Sequence, residues 1–269
     1  MLKVRILTAL ILGGLLLAVL FRMPPAAMRV VFGLAFVCGA WEWAGFGGLR
    51  SMPARAGYAL VIGILLALGW RFSADAAQFA QLLWATCAWW VVAFCWLSLA
   101  PGRQWPAIAL LCGVPVLVPA FVSLARIAAA AGVVSGPLAV LWLLFLVFGA
   151  DIGAYFAGRR FGHLPLAPRV SPSKTWEGLL GGMIAVALIA WCAAATFRQP
   201  TAVAIGFGCA VGLFSVVGDL TESMFKRAVG LKDSGSLLPG HGGILDRIDS
   251  VAAAAPLYAL GLFGSRLIS

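Results

Sequence analysis

Nine apolar runs follow one another along the chain, near residues 6–22, 30–48, 57–70, 78–100, 106–125, 137–157, 178–197, 202–220 and 250–267, most of them bounded by Arg, Pro or Trp. About 20 apolar residues suffice for a helix to cross the hydrocarbon core of a bilayer. A helix also satisfies its backbone hydrogen bonds within one segment, which lipid demands. The runs therefore predict an all-α fold: a polytopic integral membrane bundle of about nine transmembrane helices. Of the 269 residues, 63% are hydrophobic and 10% charged, whereas a soluble domain is about a quarter charged. That excludes a soluble enzyme, a disordered chain and a fibrous repeat. The expected organisation is residues 1–135, with about five spans, followed by residues 136–269, with the remaining spans and the polar loops. Gly181-Gly182 and Gly206-x-Gly208 are small enough to let helices pack closely.

Lys3 and Arg5 precede the first run as in a secretory leader, but no small-residue cleavage site follows before Arg22 and Pro24, so a retained first helix is expected. The six cysteines lie in apolar runs without a CxxC pair and read as small buried hydrophobes. The net charge of +10 comes from 19 Lys and Arg against 9 Asp and Glu. Only Arg22, Arg29, Arg71, Arg126, Arg198 and Arg266 fall on the side opposite the N-terminus. The basic excess on the other side predicts an N-in, C-out arrangement, with loops 158–177 and 221–249 in the cytoplasm. Because the basic residues are scattered over short loops, no nucleic-acid partner is expected.

The acids are distributed unevenly: all but Glu42 and Asp75 lie between residues 151 and 249. Carboxylates at membrane spans are costly and face a polar cavity, a cation or a basic partner. If the eighth helix continues past Asp219, then Asp219, Glu222, Ser223 and Lys226 share one face, and Asp246 and Asp249 share another at the start of the ninth. Between them runs a Gly- and Pro-rich loop, Lys232 to Gly243, whose glycines let backbone N–H groups approach an anion. Carboxylates collect a hard cation such as Mg²⁺ and Lys and Arg bind phosphate; an enzyme of nucleoside triphosphates needs both. With His163 and His241 the sole histidines and neither near a cysteine, a zinc site is not supported. Glu42, between Trp41 and Trp43, is expected either to pair with an arginine or to line a lipid cavity.

At these residues the chain resembles the phosphatidate cytidylyltransferase (CDP-diacylglycerol synthase) family. The resemblance rests on Ser223-Met224-Phe225-Lys226-Arg227, then Lys232-Asp233, then Pro239-Gly240-His241-Gly242-Gly243-Ile244-Leu245-Asp246-Arg247-Ile248-Asp249, which matches every fixed position of the family's C-terminal signature. A second segment runs from Asp151 to Gly162 and leads to Ser171-Pro172-Ser173-Lys174-Thr175-Trp176-Glu177-Gly178. There Ile152 stands where the family more often has Thr, and His163 and Ser173 where it more often has Lys.

The resemblance implies a membrane enzyme that joins CTP to phosphatidic acid with Mg²⁺, giving CDP-diacylglycerol and pyrophosphate for phospholipid synthesis. It further implies a multi-pass protein of the bacterial inner membrane, with its active site on the cytoplasmic side and a homodimeric assembly. On that reading Asp219, Asp246 and Asp249 gather the cation, with Asp151 either a further ligand or the partner of an arginine; a second cation stays open. Lys226, Arg227, Lys232 and Arg247 hold phosphates. Ser171, Lys174 and Thr175 on one loop, and Asp233, Gly242 and Gly243 on the other, contact substrate. His241 contacts phosphate, protonates the leaving pyrophosphate, or holds the turn by a hydrogen bond; the three alternatives stay open. A transporter would spread its charges over both halves near the midplane, and a CDP-alcohol phosphotransferase would carry an Asp-Gly-x-x-Ala-Arg segment, absent here.

Overall fold

The computed structural model describes residues 2–102, 105–237 and 242–267. Among them the chain forms nine helices: α1 (Leu2–Arg22), α2 (Pro25–Phe46), α3 (Met52–Phe72), α4 (Ala76–Leu99), α5 (Pro106–Ala129), α6 (Gly136–Phe161), α7 (Trp176–Thr196), α8 (Thr201–Ala228) and α9 (Leu245–Gly264). Prolines in the first turn open α2, α3, α5 and α6, where the missing N–H has no intrahelical partner to lose. Ser51, Asp75 and Thr175 cap α3, α4 and α7 by accepting from the N–H of Ala54, Gln78 and Gly178, which satisfies otherwise orphaned donors.

Seven helices, α2 to α8, are long and apolar enough to cross a membrane. Outward faces agree with that environment. Leu180, Ile184, Leu188 and Trp191 form an exposed apolar stripe along α7, a face that suits lipid. In α9 the polar first turn, with Asp246, Arg247 and Asp249, precedes a run, Ala252 to Ala255, that is fully buried. The helix sits inside the bundle, against α8 and α5, so its neighbours supply the apolar surroundings that its own sequence does not advertise.

α5 is the most enclosed of the seven spans and tolerates Pro115 and Pro119 in its interior. Neighbouring helices stabilise such interruptions in a membrane. The closest helix pair is α6 with α7, joined through small residues. A Cβ on Gly153 would meet the Gly181 carbonyl at 2.7 Å, and one on Gly182 would meet that of Ala150 at 2.7 Å. Gly208 likewise lies against Ala190 of α7, whereas Gly206 has open space around it, so only the second glycine of Gly206-x-Gly208 serves packing. Cys95 and Cys192 are exposed on outward faces rather than buried, because lipid accepts an exposed thiol as readily as the core does; all six cysteines are free.

Between α6 and α7 the expected loop is instead an antiparallel hairpin, β1 (Pro165–Ala167) with β2 (Ser171–Thr175), with Pro165 opposite Thr175 and Ala167 opposite Ser171. Alternating helix directions bring this hairpin, the C-terminal ends of α2, α6 and α8 and the N-terminal ends of α7 and α9 to the same end of the bundle.

Candidate active site

Helical periodicity places the polar residues of α8. The helix does run past Asp219 to Ala228, so Asp219, Glu222, Ser223 and Lys226 line one side of its last turns. The Ser223 hydroxyl donates to Asp219 Oδ1 at 3.4 Å, and Lys226 Nζ stands 3.3 Å from Glu222 Oε1. Lys226 and Arg227 close the helix where the macrodipole favours cations. Arg227 turns outward, donating to the carbonyls of Val170 in the hairpin at 3.4 Å and Leu231 at 3.1 Å. This ties the end of α8 to the β1–β2 turn.

Two lysine–aspartate pairs result. Lys174, carried on β2, donates to Asp219 of α8. The hairpin fixes that reach: Trp176 N–H donates to the Leu164 carbonyl, Leu164 N–H donates to Glu177, and Thr175 caps the next helix. Lys226 donates to Asp246 Oδ1 of α9 at 2.7 Å. Asp246 also accepts from Ser234 N–H at 3.0 Å and Gly243 N–H at 2.8 Å, so one carboxylate gathers a lysine and both arms of the glycine loop. Gly242 takes φ +79°, a left-handed backbone that glycine adopts without strain.

Around these pairs, Asp151 of α6 is exposed and lies within the fields of Asp219, Lys174 and Arg247. Asp249 accepts from Ser250 N–H at 2.6 Å and feels Asp219, Glu222 and Lys226. Glu222 is 2% exposed and lies between Lys226 and Asp249. Lys232 and Asp233 are exposed on the loop, and Ser171 is half-buried at the start of β2. His241 lies outside the described residues.

The described sequence-predicted residues thus share one end of the bundle and fall into two groups, bridged by Asp249, which feels Lys226 as well as Asp219. Asp219, Lys174, Asp151, Asp249 and Arg247 form one electrostatic neighbourhood. Asp246 is turned into the loop with Lys226, Ser234 and Gly243. Among the described residues no three His, Cys, Asp or Glu side chains converge tightly enough to grip an ion unaided. The donor chemistry nevertheless fits Mg²⁺. The set is all oxygen, and Mg²⁺ is usually bound through one or two carboxylates, with water and substrate phosphates completing its shell. Lys174 already sets a positive charge on Asp219, and Glu222, buried against Lys226, adds a further carboxylate nearby.

Two participants escaped the sequence reading. Ser234 is buried and joins two carboxylates, through its N–H to Asp246 and its hydroxyl to Glu42 at 3.0 Å. Among the described residues Glu42 is not paired with an arginine but is enclosed by the loop; it also accepts from the N–H groups of Ile244 at 3.2 Å and Leu245 at 2.8 Å. The reason is that α2 packs against the entry of α9, whose first N–H groups have no intrahelical acceptor. A charge-bearing residue between two tryptophans was the available signal, but its partners are about 200 residues away. An apolar cavity of about 260 Å³ between α6, α7, α8 and α9 opens at the opposite end, away from the acids.

A model of the cytidylyltransferase family matches residues 3–263. The phosphatidate cytidylyltransferase of Pseudomonas aeruginosa is 40% identical over 98% of both chains. That of Haemophilus influenzae is 37% identical over 98% of this chain and 99% of its own. That of Brucella suis is 36% identical over 97% and 93%.

Proposed function

Since the chain belongs to the cytidylyltransferase family, we propose that it is a multi-pass membrane enzyme joining CTP to phosphatidic acid, with CDP-diacylglycerol and pyrophosphate as products. The observation that carries this reading is the meeting of acidic and basic side chains from α6, β2, α8 and α9 at one end of an otherwise apolar bundle. A lipid phosphate at the membrane surface and a water-soluble nucleotide can both reach such a place. The excess of basic residues in the loops at that end favours a cytoplasmic position for it at the bacterial inner membrane, where CTP is found, and the reading takes the working assembly as a homodimer.

In the reaction an oxygen of the phosphatidate monoester attacks the α-phosphorus of CTP. A new P–O bond forms, the bond from the α-phosphorus to the bridging oxygen breaks, and pyrophosphate leaves with that oxygen. The nucleophile needs no dedicated base, because a phosphate monoester with a second pKa of about 6 is largely dianionic near neutrality. What opposes the reaction is repulsion between two polyanions, so catalysis consists of positioning and charge neutralisation. Mg²⁺, held by Asp219 with Asp151 or Asp249, supplies part of that neutralisation when bound.

The lysines supply the rest. Lys174 rests on Asp219 until phosphate competes for its ammonium group, so it is a donor already aimed at the cleft. Lys226 stays between Glu222 and Asp246 and holds positive charge beneath the glycine loop. Lys232, Arg227 and Arg247 extend the basic surface toward the triphosphate. Gly242 and Gly243 let the loop backbone come close to it. Asp246 keeps that loop in place through Ser234 and Gly243.

Purified protein in lipid-containing micelles, supplied with CTP, should release pyrophosphate and form CDP-diacylglycerol only when phosphatidic acid and Mg²⁺ are both present. Pyrophosphate release that ignores the lipid would assign a different acceptor. Full turnover in excess chelator would remove the divalent ion from the reading.

A further inference from the structure

We infer that Glu42, on the second helix of the N-terminal half, is a positioning residue for nucleotide binding: it clamps both arms of the glycine loop to the start of α9. The inference rests on the function proposed above for that loop, and goes beyond it in assigning work to a side chain far from the family signature.

The geometry is specific. Glu42 is 3% exposed and, among the described residues, accepts three hydrogen bonds, all from the loop and the helix entry that follows it: Ser234 Oγ–H, Ile244 N–H and Leu245 N–H. Leu245 opens α9, so Glu42 answers donors that the helix cannot satisfy itself and sits where the macrodipole favours an anion. The loop is shaped around the carboxyl group. A Cβ on Gly235 or on Gly243 would run into Glu42 oxygens, so both glycines are required for the approach.

Ser234 connects this clamp to Asp246. Its hydroxyl serves Glu42 and its N–H serves Asp246, while Gly243 donates to Asp246 and Ile244 and Leu245 donate to Glu42. Two carboxylates from opposite halves of the chain thereby lace the same two loop arms. Lys232 and Asp233 lie just before one arm, and Gly242 and Gly243 form the other. Releasing Glu42 frees the segment that carries the proposed triphosphate contacts without touching Lys174 or Asp219. The defect should therefore fall on the nucleotide rather than on the lipid.

Glu42→Gln keeps the size of the side chain and removes two of its acceptor sites. Steady-state kinetics of this variant should show the KM for CTP raised about tenfold or more, about the loss expected for one or two charge-assisted hydrogen bonds, with the KM for phosphatidate within about twofold of wild type. Hydrogen exchange at the Ile244 and Leu245 amides should accelerate at least about tenfold while α5 is unchanged, since local opening is read amide by amide. Ser234→Ala should shift the CTP KM the same way but less. The double variant should be no worse than Glu42→Gln, because a hydroxyl acting through Glu42 has nothing left to act on.

Unchanged CTP KM and unchanged exchange in Glu42→Gln would overturn the proposal. So would a fall in kcat alone, with both KM values intact, which marks a smaller fraction of folded enzyme. If Glu42→Gln does not fold, Ser234→Ala decides, and wild-type kinetics there overturns the inference. Wild-type protein that does not couple CTP to phosphatidate would instead sink the functional reading, and the exchange measurement would still judge the clamp.

Discussion

Lys174 with Asp219 and Lys226 with Asp246 are chemically the same pair, yet the chain builds them in opposite ways. Lys174 comes from a short hairpin and meets one carboxylate, with both side chains about a quarter exposed. Lys226 comes from the last turn of a membrane helix, is about nine-tenths enclosed, and has Glu222 and Asp246 on it at once. Asp246 in turn holds two backbone N–H groups. The more open an ion pair is to solvent, the less it is worth and the more readily it exchanges partners, whereas breaking an enclosed one leaves an uncompensated charge in low dielectric. On the proposed function, Lys174–Asp219 is therefore the pair that an incoming triphosphate and cation would open. Lys226–Asp246 is the framework that keeps the loop shaped while they do.

The harshest way to break this contrast is Asp246→Asn. We expect turnover to fall at least about a hundredfold, the scale of losing one preorganised electrostatic group. The protein should remain folded with a thermal midpoint several degrees lower, because Glu222 still faces Lys226. Wild-type rates in folded Asp246→Asn protein would remove this carboxylate from the site. Lys174→Met should separate the two roles more cleanly. Turnover should drop about 10- to 100-fold, as for a lost charge-assisted hydrogen bond, while the thermal midpoint moves by no more than about 3 °C. Equal loss of stability in both variants would erase the distinction between an opening pair and a framework pair.

Most of the framework could be read from the sequence, and for a physical reason: membrane helices write their length in hydropathy and their faces in a period of 3.6 residues. Asp219, Glu222, Ser223 and Lys226 fell on one face because α8 had no breaker before Val229. The start of α9 was legible from Asp246 and Asp249. The hairpin was not, since Pro165–Ala167 and Ser171–Thr175 are too short for a pleated pattern, and their pairing depends on Leu164, Trp176 and Glu177 closing its base. Nor was the division of the aspartates between two groups. Spacing along a helix says which residues share a side, but not that Ser234 and Gly243 would claim Asp246 from across the loop. Glu42 marks the limit: its cost in a membrane span was visible, and its partners, contributed by backbone about 200 residues on, were not.

The gentlest test of the contrast lies at the base of the hairpin. Thr175 follows Lys174 directly, and its hydroxyl accepts from Gly178 N–H at 3.1 Å to start α7. It also lies under Gly158 and Gly162 of the α6 exit, close enough that a Cβ on Gly158 would stand 3.2 Å from its hydroxyl. The same side chain thus seats both helix ends from which Lys174 reaches across to Asp219. Thr175→Ala removes the cap, at a cost of about 1 kcal/mol, and leaves every charged group in place. If Lys174 works as a donor aimed by the hairpin, turnover should fall by about threefold, with a midpoint lower by about 2–4 °C. Thr175→Ser, which keeps the acceptor, should recover most of both. A full rate in Thr175→Ala protein that has lost the expected stability would mean that Lys174 finds its phosphate by its own flexibility, and that the open pair needs no aiming at all.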